Sequence, residues 1–264
     1  MKNKTIIVTG GASGIGKSIC EEYARSGWTV IIIDINTEAG FDLKNQLSQI
    51  TSTFFYQADF SNSDSIKIIA PRIAETHPVI DCIIHNARSP NASKSIEDNL
   101  NNEIDRDFNI FIKSPLFLSE LLIRNLTRSL DACITFIGST NSTFISHQPL
   151  SYHVCKGALL QIVRYLAANW GKDNIRVNLL NPGIVDVPGR TRQNVDFFNK
   201  VIKAVIPLER TALAQEVASA CLFLSSDNAR YITGSTINLD GGEHLMDHFS
   251  LAYKILEGEI HDSN

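Results

Sequence analysis

Short apolar segments alternate along the chain with longer segments in which apolar residues recur at the period of a helix. Most of the short segments are apolar at nearly every position, which is typical of strands buried on both faces. These predicted strands occupy residues 5–9, 29–33, 53–58, 79–85, 132–137, 175–180 and 236–239. Helices are predicted near residues 15–26, 37–49, 64–76, 96–126, 150–170 and 213–226.

This alternation predicts an α/β fold with right-handed crossovers and a doubly wound parallel sheet of about seven strands, covered by helices on both faces. No repeat, low-complexity block or linker divides the chain, so we expect one domain over residues 1–264. Ligands of such sheets bind at the carboxyl ends of the strands. Functional residues should therefore follow strands directly.

Composition and charge exclude several classes of protein. Hydrophobic residues make up 44% and charged residues 20% of the 264, as in ordinary globular proteins. The net charge of −4, without a strongly basic segment, argues against a nucleic-acid partner. No apolar stretch could span a membrane or form a signal-peptide core, so a cytoplasmic location is expected. The five cysteines form no C-x-x-C pair and predict buried thiols.

A glycine-rich segment joins the first predicted strand to the first predicted helix. It reads Thr9-Gly10-Gly11-Ala12-Ser13-Gly14-Ile15-Gly16. Glycines permit positive φ and let backbone N–H groups approach a pyrophosphate at a helix N-terminus. The segment therefore predicts a dinucleotide-binding loop.

An acid follows this loop at a suitable distance. Asp34 lies 18 residues after Gly16, at the end of the second predicted strand. There a carboxylate can accept two hydrogen bonds from an adenosine ribose and repel a 2′-phosphate, which favours NAD over NADP. Two other interpretations stay open at this point: a turn or N-cap role for Asp34, and a methyltransferase that binds S-adenosylmethionine with a similar loop and acid.

A tyrosine and a lysine, Tyr152 and Lys156, lie four residues apart on one face of a predicted helix. An ammonium beside a phenol lowers the pKa of the phenol, which can then exchange a proton near neutral pH. Ser139 lies just after the fifth predicted strand, 13 residues before Tyr152. A methyltransferase would leave these three residues without a role.

The order and spacing of the motifs resemble the short-chain dehydrogenase/reductase family from Thr5 to about Met246. The shared elements are the T-G-x-x-x-G-x-G loop, the serine after the fifth strand and the Y-x-x-x-K pair. The resemblance implies a Rossmann-type fold and hydride exchange between a nicotinamide cofactor and a carbinol carbon. It also implies a homo-oligomer, a tetramer or dimer, that pairs the helices near 101–126 and 150–170.

By this resemblance, Tyr152 is the general acid and base, and Ser139 hydrogen-bonds the substrate oxygen. Lys156 binds the nicotinamide ribose and lowers the pKa of the tyrosine. Asn109 holds a water in the proton relay to the lysine. These are the implied catalytic residues.

The resemblance also assigns the cofactor contacts. Asp59 would contact the adenine edge, with the Phe60 backbone beside it, and the Val185 backbone would hold the carboxamide. Ser13 stands where relatives that use NADP often carry a basic residue, which again favours NAD. The implied cofactor-binding residues are Gly10, Ser13, Gly14, Ile15, Gly16, Asp34, Asp59, Phe60, Asn86, Ala87, Tyr152, Lys156, Pro182, Gly183 and Val185.

Three residues depart from the family pattern. His85 replaces the first asparagine of N-N-A-G, and Arg88 replaces its glycine. Val187 replaces a threonine that helps to hold the cofactor, which should cost on the order of 1 kcal/mol in cofactor binding. None of these changes removes a catalytic group.

The segment at about 186–207 is expected to form a mobile lid over the substrate, and residues from about 247 onward a tail. Arg190 and Arg192 in the lid, together with Arg88, are candidates to pair with an anionic substrate group. Solvation of surface loops is the alternative for all three arginines.

Two histidines near the tail, His244 and His248, have a spacing that could ligate zinc on a helix. The implied hydride transfer needs no metal, so no metal site is expected.

The sequence therefore predicts an NAD-dependent oxidoreductase that interconverts a secondary alcohol and a ketone. The alternative enzyme is an NADPH-dependent 3-oxoacyl thioester reductase of the acyl-carrier-protein type, against which Asp34 and Ser13 argue. A non-catalytic dinucleotide-sensing protein is the alternative outside the enzymes, although such relatives usually lose the tyrosine or the lysine. The substrate itself and the physiological direction are not predicted.

Overall fold

Seven parallel strands form the central sheet of the computed structural model. The structure describes residues 4–89, 95–187, 194–247, 249–253 and 256. The strands are β1 (Thr5–Thr9), β2 (Thr29–Asp34), β3 (Thr53–Gln57), β4 (Cys82–His85), β5 (Ala132–Ile137), β6 (Ile175–Pro182), β7 (Val185–Asp186), β8 (Ala212–Leu213) and β9 (Thr236–Leu239). The sheet order is β3-β2-β1-β4-β5-β6-β9, and β7 pairs with β8 beside it. The predicted α/β, Rossmann-type fold is confirmed.

Helices cover both faces of this sheet. They are α1 (Gly14–Arg25), α2 (Thr37–Leu47), α3 (Ser63–Thr76), α4 (Ile96–Asn102), α5 (Ile104–Phe108), α6 (Ser114–Leu121), α7 (Ile123–Leu126), α8 (Leu150–Trp170), α9 (Val195–Val205) and α10 (Ala214–Leu224). A π-helix at Asn109–Lys113 joins α5 to α6. Within the described ranges, no helix is long and apolar enough to cross a membrane.

The strands read as continuous apolar runs because both of their faces are buried. In β1, Ile7 packs with α3, α6 and α8, whereas Ile6 and Val8 pack with α1, α2 and α10. Successive side chains of a strand point to opposite faces, so one run supplies two separate cores. All five cysteines are buried and free, as predicted.

The prediction of one helix over residues 96–126 is wrong. The segment is divided among α4, α5, the π-helix, α6 and α7. Pro115 has no N–H to donate to the preceding turn, and Ser114 N instead donates to the Asn109 carbonyl, five residues back. A proline and a wide turn are features that apolar periodicity alone does not reveal.

The strand order reverses between β1 and β4, where the chain passes from one half of the sheet to the other. A crevice opens at the carboxyl ends of strands at such a switch point. The glycine loop follows β1, and Asn86 to Arg88 follow β4. The predicted cofactor residues therefore meet at one edge of the sheet.

Candidate active site

The glycine loop leaves no room for side chains at two positions. Gly10 has φ +62°, and a Cβ there would lie 2.8 Å from the Ala87 Cα. A Cβ on Gly16 would collide with the Gly10 carbonyl oxygen. Close approach of backbone to backbone is the reason for glycine at both places.

A hydrogen-bonded clamp across the strand switch holds this loop. Asn86 Nδ2 donates to the carbonyls of Thr9 (3.2 Å) and Gly10 (3.0 Å). In return, Thr9 Oγ1 accepts bonds from the backbone N–H groups of Asn86 (3.0 Å) and Ala87 (3.1 Å). The segment after β4 thereby fixes the shape of the loop after β1.

The loop and the start of α1 fit a dinucleotide. Ser13 is the N-cap residue of α1, and its side chain makes no capping hydrogen bond. The first N–H groups of the helix are therefore available to a phosphate. A Cβ on Gly14 would lie 3.7 Å from Val187 Cγ1, so the residue that departs from the family pattern does border this loop.

Asp34 contacts the loop directly. Its Oδ2 accepts a bond from Ala12 N, and its Oδ1 accepts one from Asn36 N, each of 2.9 Å. The carboxylate therefore takes part in a turn, which was one of the interpretations left open for Asp34, and it also lies against the glycine loop. Each carboxylate oxygen has a further lone pair, so a ribose hydroxyl can still bind here.

Asp59 and Phe60 follow β3 at the same edge. Asp59 Oδ1 accepts bonds from the Ser61 backbone N–H (2.8 Å) and hydroxyl (2.7 Å). The Phe60 carbonyl accepts a 2.7 Å bond from Ser114 Oγ. Both residues border the expected adenine side of the crevice.

The lysine of the Y-x-x-x-K pair is deeply buried on α8. Lys156 is 5% exposed, and its Nζ donates a 2.7 Å hydrogen bond to the Ile137 carbonyl. Nζ also lies 4.5 Å from the ring centroid of Phe111 and 5.7 Å from that of Tyr152. Burial lowers the pKa of Lys156 to about 7.

Tyr152 lies near Ser139. Burial raises the pKa of the phenol, while a hydrogen bond with Ser139 and the charge of Arg88 lower it. The Tyr152 ring packs edge-on against Phe111, with centroids 5.7 Å apart. Arg88, the residue that replaces the family's glycine after β4, thus acts on the tyrosine electrostatically.

Asn181 positions the serine, a role that sequence analysis missed. Its Oδ1 accepts a 3.1 Å bond from Ser139 N. A Cβ on Gly138 would collide with this same oxygen, which explains the glycine before the serine. Ser139 Oγ accepts a 3.2 Å bond from Asn141 N and caps the turn that follows. A polar residue inside the apolar strand β6 was the available signal.

Asn109 begins the π-helix. Its Nδ2 donates a 3.0 Å bond to the Ser61 carbonyl, which joins the active-site helix to the loop after β3. Wide helical turns of this kind occur often at functional sites. The relay water that the resemblance assigns to Asn109 stays a prediction.

A buried carboxylate, Asp107, was also missed. Asp107 is 1% exposed, and its Oδ1 accepts bonds from Ser89 Oγ (2.5 Å) and Arg106 Nη2 (2.9 Å). Its Oδ2 accepts a 2.6 Å bond from Ser151 Oγ, beside Tyr152. Asn99 Oδ1 accepts a 2.9 Å bond from Ser151 N in the first turn of α8. Its sequence signal was weak: one acid among several near the end of a helix.

The segment after β6 lies against the last strand. Gly183 N donates a 3.0 Å bond to the Leu239 carbonyl, and a Cβ on Gly183 would approach Glu243 to 2.9 Å. Pro182 ends β6, and Val185 pairs with Ala212. These are the backbone segments expected beside the nicotinamide.

Arg190, Arg192 and His248 lie outside the described residues. His244 Nδ1 lies 2.7 Å from Asp240 Oδ2. Among the described residues, no group of three or more His, Cys, Asp or Glu side chains could hold a metal ion.

The fold and this edge of the sheet define a class: an α/β oxidoreductase with a nucleotide-binding loop. A family model described as "Enoyl-(Acyl carrier protein) reductase" matches residues 10–244. The chain belongs to the short-chain dehydrogenase/reductase family, and the resemblance seen in the sequence is confirmed.

Three known proteins illustrate the similarity. A 3-oxoacyl-[acyl-carrier-protein] reductase of Chlamydia trachomatis is 32% identical over 91% of this chain and 97% of its own. A cyclopentanol dehydrogenase of Comamonas is 30% identical over 92% of this chain and 97% of its own. The structure of L-sorbose reductase from Gluconobacter frateurii, complexed with NADPH and L-sorbose, superposes with a TM-score of 0.85 at 22% identity, covering 94% of this chain and 98% of that one.

Proposed function

We propose that the protein is an NAD-dependent dehydrogenase that interconverts a secondary alcohol and a ketone. The observation that carries the proposal is that Tyr152 lies near both Ser139 and Lys156, at the carboxyl end of β5. The similar cyclopentanol dehydrogenase supports a secondary alcohol as substrate.

In the oxidation direction, the Tyr152 phenolate takes the hydroxyl proton of the alcohol. The Ser139 hydroxyl donates a hydrogen bond to the same substrate oxygen and aligns it. A nicotinamide cofactor held at the glycine loop would supply the hydride acceptor, and the carbinol carbon that gives up the hydride becomes the carbonyl carbon. Lys156, held by the Ile137 carbonyl, then returns the proton toward solvent with the help of Asn109. For reduction the proton moves the other way.

The preference for NAD rests on Asp34. Its carboxylate lies 2.9 Å from Ala12 N at the glycine loop, where a 2′-phosphate would bring a second negative charge. Ser13 adds no positive charge at the start of α1 to offset that repulsion.

The second candidate is an NADPH-dependent 3-oxoacyl thioester reductase. The similarity to the Chlamydia trachomatis reductase favours it. The two candidates differ in cofactor and in substrate, so one set of measurements separates them.

We would titrate the protein with NADH and NADPH by nicotinamide fluorescence, and then assay secondary alcohols with NAD. The proposal predicts tighter NADH binding and turnover that Tyr152→Phe abolishes. Tyr165→Phe is the matched control, because Tyr165 lies on the same helix and is 67% exposed. Tighter NADPH binding with reduction of 3-oxoacyl thioesters would instead establish the second candidate, and binding without turnover would favour a dinucleotide sensor.

A further inference from the structure

A buried histidine, His85, lies at the end of β4, near Lys156. It is 5% exposed, and its ring packs on Phe136 with centroids 4.6 Å apart. Its Nε2 lies 2.8 Å from Ser119 Oγ on α6. Its Nδ1 is fully buried and has no hydrogen-bond partner among the residues that the structure describes.

A small cavity is lined by both this histidine and Lys156. Its volume is about 10 Å³, close to the smallest volume that holds one water molecule. His85 and Lys156 line it together with apolar side chains such as Ile110 and Phe111. Within the described part of the chain, Lys156 is the one charged side chain in this lining.

A buried water needs polar partners, and an unpaired buried nitrogen is costly. We propose that His85 is a positioning residue that holds one water between its Nδ1 and the ammonium of Lys156. This inference rests on the proposed function, because it assigns Lys156 to proton transfer.

The hydrogen bonds can be assigned consistently. A neutral imidazole has one N–H donor and one acceptor nitrogen. If Nε2–H donates to Ser119 Oγ, then Nδ1 is the acceptor and can accept a hydrogen bond from the water. The Lys156 ammonium donates one hydrogen to the Ile137 carbonyl and has two more, of which one can reach the water.

Burial keeps the imidazole neutral, because it lowers the pKa of His85 to about 3. A water held in this way accepts a bond from the charged lysine and stabilises it. Without the water, Lys156 would lose its proton at a lower pH. The Tyr152 phenolate would then lose a neighbouring positive charge and form only at a higher pH.

The first test needs neither a variant nor a substrate. In 15N-detected imidazole NMR of the wild-type protein, His85 should remain the neutral tautomer with Nε2 protonated from pH 5 to 8. Protonation of Nδ1, or titration near the ordinary value of about 6.5, would overturn the proposal.

The second test follows Lys156 by 13Cε NMR in His85→Leu and in the control His77→Asn. His77 is another buried histidine, at the end of α3 and away from the cavity. His85→Leu should lower the pKa of Lys156 and move the rising limb of kcat against pH upward by about half a unit or more, with NADH affinity unchanged. An unchanged pKa of Lys156, or an equal change in His77→Asn, would contradict the inference.

These readouts separate two kinds of failure. If the alcohols are not oxidised but the tautomer and the pKa of Lys156 behave as expected, the proposed substrate is wrong and the water site stands. If turnover depends on Tyr152 but His85→Leu changes neither pKa nor pH profile, the inference alone fails.

Discussion

The hydroxyl of Ser151 donates a 2.6 Å hydrogen bond to Asp107 Oδ2, across 44 residues of sequence. Ser151 precedes Tyr152 in the first turn of α8, and Asp107 lies two residues before Asn109. One buried bond therefore joins the helix that carries the proposed general acid, Tyr152, to the segment that carries the proposed relay residue, Asn109. The second oxygen of Asp107 accepts from Ser89, which follows Arg88.

Replacement of the Asp107 carboxylate should lower stability and turnover without lowering the affinity for the cofactor. In Asp107→Asn, an amide nitrogen faces groups that donate, so at least one buried bond is lost. We expect about 1–3 kcal/mol less stability in urea unfolding, a lower kcat and an unchanged affinity for NADH. Asp105→Asn, an exposed change on the same helix, should alter stability by no more than about 0.5 kcal/mol. Equal effects of the two changes would exclude a special role for Asp107.

Asp34→Ala tests the choice of cofactor. Loss of the carboxylate removes the repulsion of a 2′-phosphate, so the ratio of NADPH to NADH affinity should rise about tenfold or more, which is about 1.4 kcal/mol. Because Ala12 N also loses its acceptor, NADH itself should bind more weakly. Asp42→Ala, an exposed acid on α2, is the control for a simple change in net charge. An unchanged ratio in fluorescence titrations would mean that Asp34 has a turn role alone.

Arg88→Ala tests the electrostatic contact with the tyrosine. The charge of Arg88 lowers the pKa of Tyr152 against the effect of burial, so its removal should raise that pKa. The rising limb of alcohol oxidation against pH should then move upward, whereas Arg88→Lys should keep it near the wild-type position. The same pair, assayed with hydroxy acids and their methyl esters, tests whether the arginine recognises an anionic group. Equal loss on acid and ester would exclude that recognition.

Lys156→Met should make the cofactor-free protein more stable at low pH. The wild-type lysine is charged below about pH 7 in both states, and only the folded state carries the cost of burying that charge. The cost is on the order of a few kcal/mol. The pKa of this lysine is about 7 in the folded state and about 10.4 in the unfolded chain. The cost therefore falls progressively as the pH rises from the first value to the second. In thermal unfolding, the gain in stability of Lys156→Met over the wild type should therefore be larger at pH 6 than at pH 9. A gain in stability that does not depend on pH would contradict the burial of a charged lysine.

Much of this protein could be predicted from its local patterns. The all-apolar strand runs indicated a sheet buried on both faces, since a strand that faces water on one side must alternate. The glycine loop, Asp34, Ser139 and the Tyr152–Lys156 pair fall directly after strands or on one helix face. Each of these signals needs only residues close together in sequence, because the backbone periods of strands and helices are local properties.

Tertiary structure alone decided the remaining features. The Asp107–Ser151 bond and the cavity between His85 and Lys156 both depend on partners that lie far away in sequence. Hydrophobic periodicity tells which side chains are buried, but not which polar group meets another inside the protein. Whether a buried carboxylate, imidazole or ammonium is paired depends on geometry between distant segments, and that geometry exists only once the sheet and its helices have packed.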